Sequence, residues 1–331
     1  MKKVLAIILV LALGLSLVAC GGGEEAPVSD NPQSVEAIQA AGQLIMYTES
    51  GFPPYEYRSG EEVCGVDVEI AKAVAADLGV ELVIEDVPFG SIITSVQTGK
   101  AAIGAAGMTV TEERMEAVDF STKYANSTQY VIVKAGSEFT SFEDMSGMTI
   151  GVQDSTTGDF YVSDEIVGFD DEETKEHTPG VLEGTGAEVK RYANALIAAQ
   201  DLIAGRLDAV VIDKLPAQNI VAANADANLV SFELLYADGS NTFEEYAIAI
   251  AKDNTTLLEA VNATIERLQA DGSLTNGLLT ILKPAQSPLN NSNFNEQYLP
   301  RRVTILGAVY LFFKGVFLCL RILPTACISV L

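Results

Sequence analysis

The chain has one histidine, four cysteines and no tryptophan in 331 residues. The lone His177 and the cysteines at 20, 64, 319 and 327, with no C-x-x-C pair, leave too little material for a zinc site. No metal and no cofactor are expected, and the same scatter excludes a disulfide scaffold. Cations are scarce as well: 20 Lys and Arg stand against 45 Asp and Glu, a formal net charge of −25. A phosphate backbone would be repelled by such a chain, so nucleic acid is excluded as a partner. What the chain does have is apolar residues, 48% of the total and evenly spread, which excludes disorder over most of its length. That content is ample for one large or two ordinary cores.

Both ends depart from the pattern of the body. Lys2 and Lys3 precede an apolar run from Val4 to Leu17, closed by Leu17-Val18-Ala19-Cys20. The run is short for a membrane span, and small residues beside the cysteine fit a processing site, so residues 1–19 read as a secretory signal peptide. The Leu-Val-Ala-Cys string resembles the lipobox of bacterial lipoproteins. That resemblance implies that Cys20 carries a membrane lipid and anchors the mature protein on the extracytoplasmic side of the cell membrane; the alternative is an ordinary signal peptide with a chance cysteine. Residues 20–34, polar and rich in Gly, read as a flexible tether. At the other end, Val303 to Leu320 is apolar apart from Lys314 and runs on past Arg321. Such a run can just cross a bilayer. Arg301 and Arg302 would hold its flank in the cytoplasm, which conflicts with an exported body. The string Asn293-Phe294-Asn295-Glu296-Gln297-Tyr298 resembles the junction of binding-protein–permease fusions. A truncated or frame-shifted fusion is the expected origin of residues 285–331, an apolar tail whose status stays open.

Between these ends, short apolar runs alternate with amphipathic stretches. Strands are expected at 44–48, 80–84, 101–105, 148–152, 188–192, 208–212 and 246–251, and helices at 67–78, 91–97, 193–204, 214–223 and 255–270. In the first helix Val68, Ala71, Val74, Ala75 and Leu78 share a face and Gly79 stops it. Alternating β and α predicts parallel sheets with helices on both faces, an α/β fold, and about 250 residues of it predicts two sheets. Ligands of open α/β sheets sit in loops at the carboxyl ends of strands. Four such loops are Glu49 to Tyr55, Gly107 to Arg114, Gln153 to Gly158, and Asp213. Together they hold an aromatic ring, hydroxyls, free backbone groups, one cation and one anion. That set suits a small zwitterion: Arg pairs with a carboxylate, Asp with an ammonium, and a ring covers an apolar stem.

Several strings in these loops extend the pattern. Phe52-Pro53-Pro54-Tyr55-Glu56-Tyr57 is followed by Gly65-Val66-Asp67-Val68-Glu69-Ile70-Ala71-Lys72. Ala106-Gly107-Met108-Thr109-Val110-Thr111-Glu112-Glu113-Arg114 precedes Val118-Asp119-Phe120-Ser121, and Gly151-Val152-Gln153 and Leu207-Asp208-Ala209-Val210-Val211-Ile212-Asp213 come later. In this order they resemble family-3 extracellular solute-binding proteins, the polar amino-acid-binding subunits of ABC importers. The resemblance implies a two-lobe, type II periplasmic-binding-protein fold joined by two hinge crossings. Lobe one would take residues 35–127 and 238–284, and lobe two residues 128–237. It also implies a free polar or basic amino acid as ligand, ABC permease subunits in the membrane as partners, and no catalysis. By position, Arg114 would clamp the ligand α-carboxylate with help from Thr109 and Thr157. Asp213 and the Gly107 carbonyl would take the α-amino group, and Phe52 and Phe89 would flank the side chain. Met108, Thr156 and Gln153 would line the wall, with Glu49 at the side-chain end. Ser155 stands where a glycine is usual, Ile212 where some relatives are polar, and residues 168–186 look like a long solvated loop.

Each residue also has a plainer role. Arg114 follows Thr109-x-x-Glu112, a capping-box spacing that would make it a first-turn surface residue. Asp213 could cap the helix that starts at Lys214. Phe52 and Phe89 could be core, Glu49 merely solvated, Cys64 a buried free thiol and His177 exposed. A dehydratase on the same fold would use Glu49 as its acid or base, and an amino-acid sensor is a third possibility.

Overall fold

A computed structural model describes residues 32–274, apart from 138, 140 and 171–173, and the backbone of three strands between 302 and 321. Cys20, the expected signal segment and tether residues 20–31 lie outside the described residues, while Ser34, expected in the tether, is buried and accepts the Ala37 N–H at 3.3 Å as a helix cap.

The first lobe opens with α1 (Val35–Ala41), β1 (Gln43–Thr48), β2 (Gly51–Phe52), β3 (Glu56–Ser59) and β4 (Glu62–Cys64). It continues through α2 (Val66–Leu78), β5 (Glu81–Asp86), α3 (Ile92–Gln97), β6 (Ile103–Gly104), α4 (Glu112–Ala117) and β7 (Val118–Phe120). The alternation of the sequence explains the layers. β1 buries Leu44, Met46 and Thr48 on one face, and α2 lays Val68, Ala71, Val74 and Ala75 against it. Each fully buried Val, Leu or Ile contributes about 1.5–3 kcal/mol. Gly79 ends α2 in the left-handed region at φ 74°, its N–H bonded to the Ala75 and Ala76 carbonyls.

The chain then crosses on one long strand, β8 (Ala125–Lys134). The second lobe holds β9 (Thr149–Gln153), α5 (Thr157–Val167), β10 (Phe169–Asp170), β11 (His177–Thr178) and β12 (Glu188–Tyr192). It closes with α6 (Ala195–Ile203), β13 (Ala209–Asp213), α7 (Lys214–Ala223) and β14 (Leu229–Glu233). The return passes through β15 (Phe243–Tyr246) into β16 (Ala249–Ala251) and α8 (Thr255–Ala270) of the first lobe.

The two sheets have the same plan. Their strand orders are β5-β1-β6-β16-β7 and β12-β9-β13-β8-β14. In each, the first three strands run parallel and the last two are added antiparallel. β8 joins the lobes: its first residues, Ala125 to Thr128, pair with β15, and the rest pair with β13 and β14. The crossings are thus paired strands, not loose linkers.

Several expectations need correcting. α5 is absent from the expected helices, because only Val162 among its large apolar residues is buried and its periodicity is faint. α6 starts at Ala195, not at 193, because the Asn194 side chain accepts the Ile197 N–H at 3.1 Å and caps it there. Cys64 is a free thiol but half-buried, at the end of a strand. The 168–186 loop contains a small hairpin, β10 with β11, in which exposed His177 meets Asp170 at 2.7 Å and Glu183 at 2.9 Å. In the apolar C-terminal segment the backbone of β17 (Arg302–Ile305), β18 (Ala308–Phe313) and β19 (Val316–Arg321) forms an antiparallel sheet. Among the described residues no helix is long and apolar enough to cross a membrane.

Candidate functional site

The carboxyl ends of β1, β6, β9 and β13 converge on one cavity. Every residue expected at the site lines it except Met108, and Glu56 and Ala106 join them unforeseen. Met108 is wholly buried and packs with Ile92, Val96 and Ala249, so its side chain belongs to the core rather than to the cavity wall.

Local chemistry sets each position. Thr111 caps α4 by accepting the Arg114 N–H at 3.2 Å, so the cap is Thr111 and not Thr109. The helix start turns Arg114 inward, where it is 6% exposed and no surface residue. Its Nη1 donates to the Thr109 carbonyl at 2.9 Å, its Nη2 to the Ser155 carbonyl of the second lobe at 3.2 Å. The guanidinium also lies 5.2 Å from the centroid of the Phe89 ring, a cation–π stack. Burial pulls the guanidinium below its ordinary pKa, and the charges of Glu244 and Asp213 hold it up.

Gly107, at φ 53°, is where the loop after β6 meets Phe52: a Cβ there would stand 2.4 Å from the ring. Phe52 is both core and wall, stacked on Tyr55 with centroids 5.6 Å apart. In the second lobe Ser155 adopts φ 64°, a left-handed conformation that would suit glycine. Thr156 caps α5, accepting the Asp159 N–H at 3.3 Å and donating to the Gln153 carbonyl at 2.8 Å. Its hydroxyl is therefore engaged within its own lobe, and Thr157 follows on the first turn.

Asp213 ends β13 and precedes α7, yet its side chain makes no capping bond. It accepts instead from the Tyr246 hydroxyl. Beside it lies Glu244, buried on β15, which accepts from Gln129 Nε2 at 3.0 Å and Thr109 Oγ1 at 3.1 Å. Burial, and then the Asp213 charge, push the Glu244 carboxyl well above its ordinary range. Glu49 is 8% exposed, not solvated, and accepts from Gln153 Nε2 at 3.2 Å across the cleft. Burial raises its carboxyl pKa, and the Gln153 bond pulls it back. Oε1 of Gln153 has no partner among the described residues.

Glu56 and Glu244 escape sequence reasoning because acidic residues on a chain this negative read as solvated. The alternation along Phe243–Tyr246 is the available signal: Glu244 faces in, while Glu245 faces out and pairs with Lys123. No group of three or more His, Cys, Asp or Glu among the described residues could hold a metal ion.

Residues 44–278 match the family of bacterial extracellular solute-binding proteins, family 3. The arginine-binding extracellular protein ArtP of Bacillus subtilis is 29% identical over 274 residues, which cover 83% of this chain and 95% of ArtP. A solved ancestral arginine-binding protein bound to arginine is 34% identical with a TM-score of 0.63, covering 72% of this chain and 97% of its own. The amino acid ABC transporter substrate-binding protein AbpA of Streptococcus pneumoniae, bound to L-arginine, is 28% identical with a TM-score of 0.65. That match covers 75% of this chain and 98% of AbpA.

Proposed function

The chain belongs to the bacterial extracellular solute-binding proteins, family 3, and we propose that it captures a free basic amino acid, arginine first, between its lobes and delivers it to an ABC permease. One observation carries this reading: Arg114 of the first lobe and Asp213 of the second line the same buried cavity. In this reading Arg114 takes the α-carboxylate through N–H donors that Thr109 and Ser155 leave free, since a guanidinium has five. Asp213 takes the α-ammonium, and Phe52 and Phe89 cover the aliphatic stem. Glu49 and Gln153 Oε1, which has no partner among the described residues, receive the donor-rich far end, which favours guanidinium or ammonium over an apolar terminus. The relatives bound to arginine support the same ligand.

Because the two poles of the ligand are held by different lobes, binding favours the closed arrangement, the form a permease would accept. Lipid on Cys20 would keep the protein beside that permease. In this reading the site acts by binding rather than by turnover, and His177 lies in the exposed hairpin outside the cavity. A thermal-shift screen of the twenty amino acids tests the reading, because a ligand that binds only the folded state raises the melting temperature. Arginine should give the largest rise and lysine a smaller one. A largest rise with an apolar amino acid, or none with any, contradicts it.

A further inference from the structure

Beside the cavity lies a second pair of carboxyls. Glu56 on β3 and Asp67 on the first turn of α2 are both wholly buried, and Glu56 borders the cavity. Oδ2 of Asp67 accepts the Gly107 backbone N–H at 2.8 Å and the Tyr124 hydroxyl at 2.7 Å. That oxygen therefore pins the loop that carries Gly107 and Thr109 at the site. Oδ1 of Asp67 and both oxygens of Glu56 meet no N–H or O–H donor among the described residues. The two carboxyls meet each other. If both were ionised, full desolvation and like-charge repulsion would act together, offset only by the two donors on Asp67 Oδ2. One proton between them supplies the missing donor.

We propose that Glu56 holds this proton and donates it to Asp67, and that the resulting acid–carboxylate bond positions the Gly107 loop for the ligand. Glu56 is then a positioning residue. The ligand is touched by Thr109 and Arg114, which the loop carries.

The groups facing Glu56 are consistent with a retained proton. Asp67, Glu49 and Asp213 are acidic and Tyr55 and Tyr124 lie close by, while Arg114, the cation lining the same cavity, is held by the Thr109 and Ser155 carbonyls and the Glu244 and Asp213 charges. Burial first, and then these charges, hold Glu56 well above the ordinary carboxyl range. Asp67 is raised by burial to about 6, with the Gly107 and Tyr124 bonds holding it down. Asp67 already accepts two donors on Oδ2 and Glu56 none, which marks Asp67 as the carboxylate and Glu56 as the acid. A folded-state pKa raised in this way gives stability that is complete below the unfolded value and lost as pH rises through the folded one.

The inference rests on the amino-acid-binding reading, but its test has readouts that do not. Infrared spectra of the ligand-free protein from about pH 6 to about pH 9 report protonated carboxyls directly. Calorimetry with L-arginine over the same range is compared for wild type, Glu56→Gln and Glu56→Ala. The wild type should show a carboxylic-acid band at neutral pH whose Glu56 component is missing from Glu56→Gln, the remainder belonging to Glu244. Wild-type affinity should fall once the pH is high enough to remove that component, by up to about tenfold per pH unit. Glu56→Gln, whose amide N–H donates at every pH, should not share that fall, whereas Glu56→Ala should bind weakly throughout. The proposal is overturned if the wild type has no such band at neutral pH, if the wild-type and Glu56→Gln profiles run parallel, or if Glu56→Ala binds as tightly as wild type. It is overturned too if Glu56→Gln loses arginine at neutral pH, since Glu56 would then be an anionic ligand contact. Should the variants fail to fold, the band that remains in Glu244→Gln decides, since Glu244 is the other buried carboxyl held well above its ordinary range. A band present with no heat from any amino acid would sink the binding reading and leave the pair standing.

Discussion

Arg114 donates from Nη2 to the backbone carbonyl of Ser155, 3.2 Å away on the other lobe, while its Nη1 holds Thr109 on its own. One guanidinium thus ties the two halves of the cleft and still has donors for a carboxylate. Arg114→Ala should cost about 1–3 kcal/mol of stability, since it strands two carbonyls. It should cost far more in ligand affinity, about 3–5 kcal/mol, because a buried carboxylate would lose its partner. Denaturant unfolding and calorimetry measure the two separately. Equal losses in both would remove Arg114 from ligand binding.

Glu49 gives a prediction about acid. Burial raises its carboxyl pKa, so protonation begins at a higher pH than for an exposed Glu. A carboxylate that receives a cationic side chain is needed ionised, so arginine affinity should fall as pH is lowered through that raised value. Glu49→Gln should bind arginine at least about tenfold more weakly at neutral pH, a loss of about 1.4 kcal/mol, and lose the acid dependence. An unchanged acid limb in the variant would assign the titration to another group.

Gly107 tests the loop. With φ at 53° and a Cβ only 2.4 Å from Phe52, Gly107→Ala should lose about 1–3 kcal/mol from backbone strain alone, and more from the displaced ring. Binding should weaken with it. Native stability in chemical denaturation would contradict the tight fit.

Gly90 tests closure instead. A Cβ there would stand 2.8 Å from Ser155 Oγ, across the cleft. Gly90→Ala should leave the ligand-free melting temperature nearly unchanged, since its backbone has no need of glycine, yet weaken arginine binding by obstructing approach of the lobes. Wild-type affinity would show that this contact yields freely.

Much of this site is legible in the sequence, for a physical reason. Loops at the carboxyl ends of parallel strands are where ligands bind, and the turn residues that shape them stand out along the chain. The helices Lys214–Ala223 and Thr255–Ala270 are legible from their apolar spacing and boundary residues. Met108 misleads because apolar residues in a loop do not disclose which of them turns inward; here it fills the space between α3 and β16. Glu56, Asp67 and Glu244 are illegible for the opposite reason. Burying a carboxyl depends on a donor or a shared proton brought from elsewhere in the chain, and only the fold supplies Gly107, Tyr124, Thr109 and Gln129 as those partners.

That Arg114 and Asp213 grip opposite poles of one basic amino acid is tested most directly by calorimetry of the wild-type protein with three ligands. These are L-arginine, agmatine, which lacks the carboxylate, and Nα-acetyl-L-arginine, which lacks the α-ammonium. One molecule of L-arginine should bind per chain, with both analogues weaker by at least about a hundredfold. Agmatine or the acetylated compound binding as tightly as L-arginine would contradict the account.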